Sequence, residues 1–329
     1  MKLYSLIVAV LLLPLLPARS AELSDTQKRE ITSAVQSFRG THVTDSQRLA
    51  QSRKFVELGS QAVQAWNRAM AEELGLITEK IKPFTNPPLP DKRVAELREK
   101  LRALQESDEL SEEQLEEQGR SALQELLRGY EQQSAKQAVE RNKRRQIQQQ
   151  LQRMNDFLEK VRADASLTSL STMSSVKQIK QLQTELLSSP LARIDYVREQ
   201  NANLAKKIHR AEADGIRYLN EMRIVMGLKP TLIDPKLCMA ARGHSKDMQT
   251  LDFFDHESPV EGKTTFLDRA RLAGTKANSE NIYWGSPNER TAIDVWFSSP
   301  PHHRNMFDSD WTHQGIGRWE DHWTQMFRQ

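Results

Sequence analysis

Cysteine is almost missing from this chain of 329 residues, occurring once, at Cys238. A single thiol forbids any disulfide within the chain, so stability has to come from packed apolar cores. Cys238, between Leu237 and Met239, reads as a small buried apolar side chain rather than a reactive thiol. Long apolar runs are also missing. Residues 6–16 form a run of about eleven, short of the roughly 18–20 residues a helix needs to cross a bilayer. Neither sign of charge dominates, with 47 Lys and Arg against 44 Asp and Glu, which argues against a nucleic-acid partner. Aromatic residues are sparse early on: five of the six Trp lie after residue 280.

What is present starts with residues 1–20. A basic Lys2, the apolar run and the small residues Ala18 and Ser20 read as a secretory signal peptide. Its removal leaves 45 basic and 44 acidic side chains, and no transmembrane segment after signal removal. The expected location is secreted, periplasmic or on the cell envelope.

Residues 21–205 are rich in Gln, Glu, Lys, Arg, Ala and Leu, a composition for an all-α, partly coiled-coil region. Ser24-x-x-Gln27, Thr44-x-x-Gln47 and Ser111-x-x-Gln114 are candidate capping boxes. Apolar stripes at helical spacing follow: Val94, Leu97, Leu101 and Leu104; then Leu115, Leu123, Leu126 and Leu127; then Ile147, Leu151, Met154, Leu158 and Val161. Four prolines within residues 82–90 predict a break, because proline removes donors and forces extended backbone. A Ser/Thr-rich stretch at 165–175 predicts a loop. From Ile194 to Met222 a heptad seam predicts one helix reaching Met226, buried by earlier helices of the chain or by a second copy, so oligomerisation through this region is one expectation. Asn201 in that seam either fixes register or faces solvent. The basic run 136–153 pairs with the acidic run 106–117 on a neighbouring helix, is a solvated face, or forms a polyanion-binding face centred on Arg144 and Arg145.

Beyond Gly227-Leu228-Lys229-Pro230 four strings occur in order: Ala240 through Met248 (with Arg242-Gly243-His244-Ser245-Lys246-Asp247), Phe253-Phe254-Asp255-His256-Glu257-Ser258-Pro259, Ser279-Glu280-Asn281-Ile282 and Ser299-Pro300-Pro301-His302. With Leu219-Asn220-Glu221-Met222-Arg223 before them and Trp323-Thr324-Gln325-Met326-Phe327 after, this stretch resembles the CAP superfamily, or SCP/TAPS domain, in its bacterial form. The resemblance covers residues 206–329. It implies an α+β fold there, an α/β/α sandwich, and a domain that folds from near Lys206 on its own.

The resemblance also implies a cavity lined by two His and acidic residues, able to hold zinc or another divalent metal. His256 matches the first His, Glu280 the first acid, and His302 the second His, with Pro301 where relatives carry Gly; the metal ligands would be His256 and His302. The second acid falls at Ser299, which carries no charge. His303 is the alternative to His302 by a one-residue slip. His244 could join the rim or be a core His satisfied by Asp247. A Ser258/His256/Glu280 hydrolase is disfavoured, because residues i and i+2 in an extended loop point apart and no nucleophile elbow is present. The expected function is an exported, non-enzymatic binding module for an envelope or extracellular ligand: lipid, sterol, glycan or protein. A metal-dependent hydrolase and a structural envelope spacer are the alternatives.

Overall fold

The computed structural model describes residues 22–40, 42–87, 89–170 and 172–329. Residues 1–20, read from sequence as a signal peptide, lie outside the described residues. The helical region contains α1 (Asp25–Gln36), α2 (Asp45–Glu57), α3 (Ser60–Thr85), α4 (Lys92–Glu106), α5 (Glu112–Gln114), α6 (Arg120–Gln132), α7 (Ser134–Ala163), α8 (Met173–Ser188) and α9 (Pro190–Leu204). The rest comprises α10 (Arg210–Val225), β1 (Leu232–Ile233), α11 (Pro235–Leu251), α12 (Phe266–Leu272), β2 (Ser279–Trp284), α13 (Glu289–Ser298), α14 (Pro300–Met306), β3 (His313–Trp319) and β4 (His322–Arg328). The described residues divide into two compact units, those within 22–81 and 146–184 and those within 82–145 and 185–329.

In the first unit, capping boxes at Ser24 and Thr44 start α1 and α2 as the sequence predicts. The stripe Ile147, Leu151, Met154, Leu158 and Val161 is buried, as are Phe38, Trp66, Met70 and Leu74. Glu73, also buried, accepts from Arg39 and from Gln150. Near the unit boundary, α3 does not stop at the proline run. It passes through Pro83 to Thr85, and the chain still closes a helical bond from the Asn86 amide to the Lys82 carbonyl. A proline in the last turn removes a single bond, and the buried side chains of Ile81 and Phe84 offset it.

The second unit holds a four-stranded sheet in the order β1-β3-β4-β2, with β1 parallel to β3 and the other pairs antiparallel. Side chains alternate across it. Phe327 and Trp323 join a core with Ile216, Leu219 and Met222 of α10 and Trp296 and Phe297 of α13. Met326 faces the opposite layer, with Leu237 and Ala241 of α11 and Ala270 of α12. This is the three-layer α+β arrangement the sequence predicts. Gly315 and Gly317 let α11 press on β3: a Cβ at Gly317 would lie 1.9 Å from the Arg242 amide nitrogen. Cys238, on the buried face of α11, is fully enclosed, and burial pushes its thiol pKa up.

Two features depart from the sequence reading. The core of this unit does not begin at Lys206: Leu97 and Leu101 of α4 and Ala122, Leu123 and Leu126 of α6 belong to the same cluster as Trp296 and Trp323. The seam helix is also broken. After α9 a 3₁₀ turn (Ala205–Lys207) leads to Ile208, which is extended at φ −131°, before α10 begins. The carboxylate of buried Glu212 explains the break, because it accepts from the His209 amide at 3.2 Å and from Arg242 at 2.7 Å, anchoring the new N-terminus. Asn201 is engaged within the chain: its amide donates to the Thr231 carbonyl and its oxygen accepts from the Ile233 amide, tying α9 to β1. Nor does the basic run pair with residues 106–117, since Arg144 bonds Asp195 and Glu116 bonds Arg120.

Candidate functional site

Arg269, which the sequence reading does not single out, organises the site. It lies on α12, started by a Thr265/Asp268 capping box, and its side chain is 2% exposed. One guanidinium nitrogen donates to the carbonyls of Lys263 and Thr264 at 2.9 and 3.0 Å. The other donates to the His256 carbonyl at 3.0 Å and to both oxygens of Glu280 at 2.8 Å. One cation therefore pins the 256–264 loop to strand β2. Nothing in the local sequence marks this residue, because its partners come from a distant loop and strand.

Glu280 projects from β2 with its side chain 1% exposed. Besides Arg269 it accepts from His256 Nδ1 at 3.0 Å. Facing a carboxylate, Nδ1 carries a proton, so Nε2 is the nitrogen turned away from Glu280. The His256 side chain is half exposed. His302 sits in the first turn of α14, where Nδ1 shares a 2.9 Å hydrogen bond with Ser299 Oγ. Burial, and then the nearby His256, pull the His302 pKa below the ordinary imidazole range, favouring the neutral ring.

These three residues line one open cleft of about 430 Å³ with Asn281, Asn305 and Trp311. The floor is a hydrogen-bonded amide relay: Asn305 donates to Asn281, and Asn281 donates to Gln325. It continues from Gln325 to Gln314 and on to Thr231. Such a buried network holds its members in one geometry.

The remaining candidates lie elsewhere. Ser299 caps α14 and holds His302. Ser258 is buried, and its hydroxyl accepts from the Val260 amide in a turn, so it is not presented as a nucleophile. His303 is sealed in the core, donating Nδ1–H to the Phe297 carbonyl between the rings of Phe297 and Phe307. His244 is fully buried and does not line the cleft. It does not rely on Asp247, which pairs with Lys263; its Nε2–H donates to the Asp255 carbonyl at 3.0 Å, supporting the loop next to His256.

His244 gives the domain a pH dependence. Burial lowers its pKa to about 4, against an unfolded value of about 6.5. The unfolded chain therefore takes up a proton first as pH falls. Stability is full above about pH 6.5 and declines toward pH 4, by about 3 kcal/mol from this residue. Urea midpoints should fall between pH 7 and 5 more steeply for the natural chain than for His244→Gln. Equal slopes would show that His244 does not carry the effect.

The donor set can be tested for a metal ion. Among the described residues no three His, Cys, Asp or Glu side chains stand close enough to hold one together. Glu280 is committed to Arg269, so it fits an outer partner that orients His256 rather than a ligand. Two imidazoles, His256 and His302, line the same open cleft, a donor set suited to an open site and not to a closed structural one.

The model of the cysteine-rich secretory protein family, CAP, matches residues 216–327. The Bacillus subtilis (strain 168) protein YkwD is 33% identical over 114 residues, covering 34% of this chain and 44% of that protein. The membrane protein YlbC of the same strain is 29% identical over 108 residues, covering 33% of this chain and 31% of its own. This chain thus spans less than half the length of these curated relatives. Among solved structures, an extracellular protein containing a SCP domain from Bacillus anthracis is 27% identical, with 36% of this chain and 40% of that one covered at a TM-score of 0.34. The layered sheet, the ordered motifs and the family match agree: residues 216–327 are a CAP domain of the cysteine-rich secretory protein family, C-terminal to a helical region.

Proposed function

We propose that this chain is an exported, non-enzymatic binding protein whose CAP cleft recognises an envelope or extracellular ligand through His256, His302 and the amides of Asn281 and Asn305. The observation that carries this reading is the state of Glu280. Both its oxygens are taken by Arg269 and one also by His256, so the carboxylate has the bonding of a structural clamp and not of a general base waiting for water. The export reading rests on the sequence of residues 1–20. Among the described residues no helix is long and apolar enough to cross a membrane.

A divalent ion, when bound, would add a Lewis-acid contact for an anionic or carbonyl group of the ligand. His256 and His302 would hold it, and Glu280 would keep the His256 tautomer fixed. Calorimetric titration of the full chain with zinc chloride should show one site that disappears in His256→Ala and in His302→Ala. Retention of that site in the double variant would place the metal elsewhere. The hydrolase alternative is tested by incubating the chain with labelled envelope glycan and peptide: the expected result is no release, whereas turnover lost in His256→Ala would replace binding with catalysis.

A further inference from the structure

A second cavity lies wholly within the second unit and outside the family-matched residues for most of its wall. It measures about 890 Å³, within the range of roughly 300–1,000 Å³ usual for small-molecule sites. One face of α9 contributes Leu191, Ile194, Asp195 and Arg198, and the end of α10 contributes Ile224 and Val225. Phe84, Val94, Leu97 and Leu126 complete a mostly apolar wall.

The charges at its α7 and α9 side do not balance. Lys136, Arg141, Arg144 and Arg198 line the cavity there against two carboxylates, Glu140 and Asp195, and Glu140 is paired with Lys143 at 3.0 Å. Asp195 accepts from one terminal nitrogen of Arg144 at 2.6 Å. Arg144 is only 9% exposed, and its Nε is buried without a partner. The Nε of Arg141 lies 3.7 Å from Asp195, beyond hydrogen-bond reach, and is likewise buried and unpartnered. Arg198 makes no hydrogen bond or ion pair among the described residues, and its guanidinium lies 5.6 Å from the Tyr130 ring centroid. Burial pulls its pKa down against the opposing field of Glu221, and Glu221 is paired with Arg217 at 3.8 Å. Buried guanidinium donors left unmade are costly, and an anionic acceptor is what would satisfy them.

We infer that this cavity binds a single-chain amphiphile with an anionic head, the chain lying on Phe84, Val94, Leu97, Leu126 and Ile224 and the head meeting Arg141, Arg144 and Arg198. The head could be a carboxylate or a phosphate, since both accept from guanidinium forks. The site is separate from the His256 cleft.

The test is calorimetric titration of the full chain with hexadecyl phosphate below its micelle threshold, beside hexadecanoate, hexadecanol, hexadecyltrimethylammonium and inorganic phosphate. Both anionic chains should bind one per protein, and each should bind about tenfold or more tighter than the neutral or cationic chain, the difference expected of charge-assisted hydrogen bonds. Arg198→Gln, which breaks no hydrogen bond or ion pair, and Arg144→Gln should each weaken the anionic chains toward hexadecanol. His256→Ala with His302→Ala should leave them unchanged. Equal affinity for hexadecanol and hexadecyl phosphate, or full affinity in Arg198→Gln together with Arg144→Gln, would overturn the inference. Inorganic phosphate binding as tightly as hexadecyl phosphate would overturn the amphiphile assignment.

Discussion

A fragment beginning at Lys206 should lose the cooperative melt of the full chain and bind a hydrophobic dye, although it contains the whole family-matched segment. The cause is the shared core: without α4 and α6, the side chains of Ile216, Leu219, Met222, Trp296 and Phe297 face water where Leu97, Leu101, Leu123 and Leu126 now cover them. Each buried Leu contributes about 1.5–3 kcal/mol by the area it removes from water, so losing four exceeds much of the roughly 5–15 kcal/mol that stabilises a domain. In the full chain, Leu101→Ala and Leu123→Ala, at 1% and 3% exposure, should each cost about 2–5 kcal/mol. The loss should appear as a lower denaturant midpoint reported by Trp fluorescence, since five of the six Trp lie after residue 280. A cooperative melt of the fragment at the full-chain temperature would restore the boundary that the sequence motifs suggest.

Glu280→Ala carries the second large effect. It removes the only carboxylate hydrogen-bonded to Arg269 among the described residues and leaves a guanidinium that is 2% exposed. Breaking a buried pair from one side costs about 3–5 kcal/mol, because the remaining charge is uncompensated. The damage should spread to the 256–264 loop, since the same guanidinium holds the carbonyls of His256, Lys263 and Thr264. Proteolysis within that loop should speed up along with the loss of stability. Glu280→Gln, which keeps an oxygen acceptor and the shape, should cost less and protect the loop better. A penalty below about 1 kcal/mol for Glu280→Ala, the value typical of exposed pairs, would mean that water replaces the carboxylate.

Much of this architecture is legible in local pattern. Capping boxes at Ser24, Thr44 and Ser111 start helices where side chain and backbone are three residues apart, a distance sequence can read. The stripes of Leu and Ile mark buried faces for the same reason. Partners are not legible, because a stripe states that a face is buried and not against what; Leu97 and Leu123 share one core with Trp296, more than 170 positions away. The seam from Ile194 to Met222 keeps its period through Ile208, yet the helix breaks there because Glu212 is drawn to Arg242, a tertiary bond that outweighs periodicity. In the cleft, the motif strings direct attention to His256, Glu280 and His302, and the fold brings them together. Arg269 stays invisible, since its role arises only when β2 and the 256–264 loop converge on it.

The measurement that bears most directly on the proposed function is retention of envelope material by the immobilised full chain, with the recovered fraction divided into lipid, glycan and protein. The account predicts that the natural chain retains one class and that His256→Ala with His302→Ala loses it while keeping its cooperative melt, both side chains being at least partly exposed in the cleft and outside the core. Identical retention by the natural chain and that double variant would contradict it.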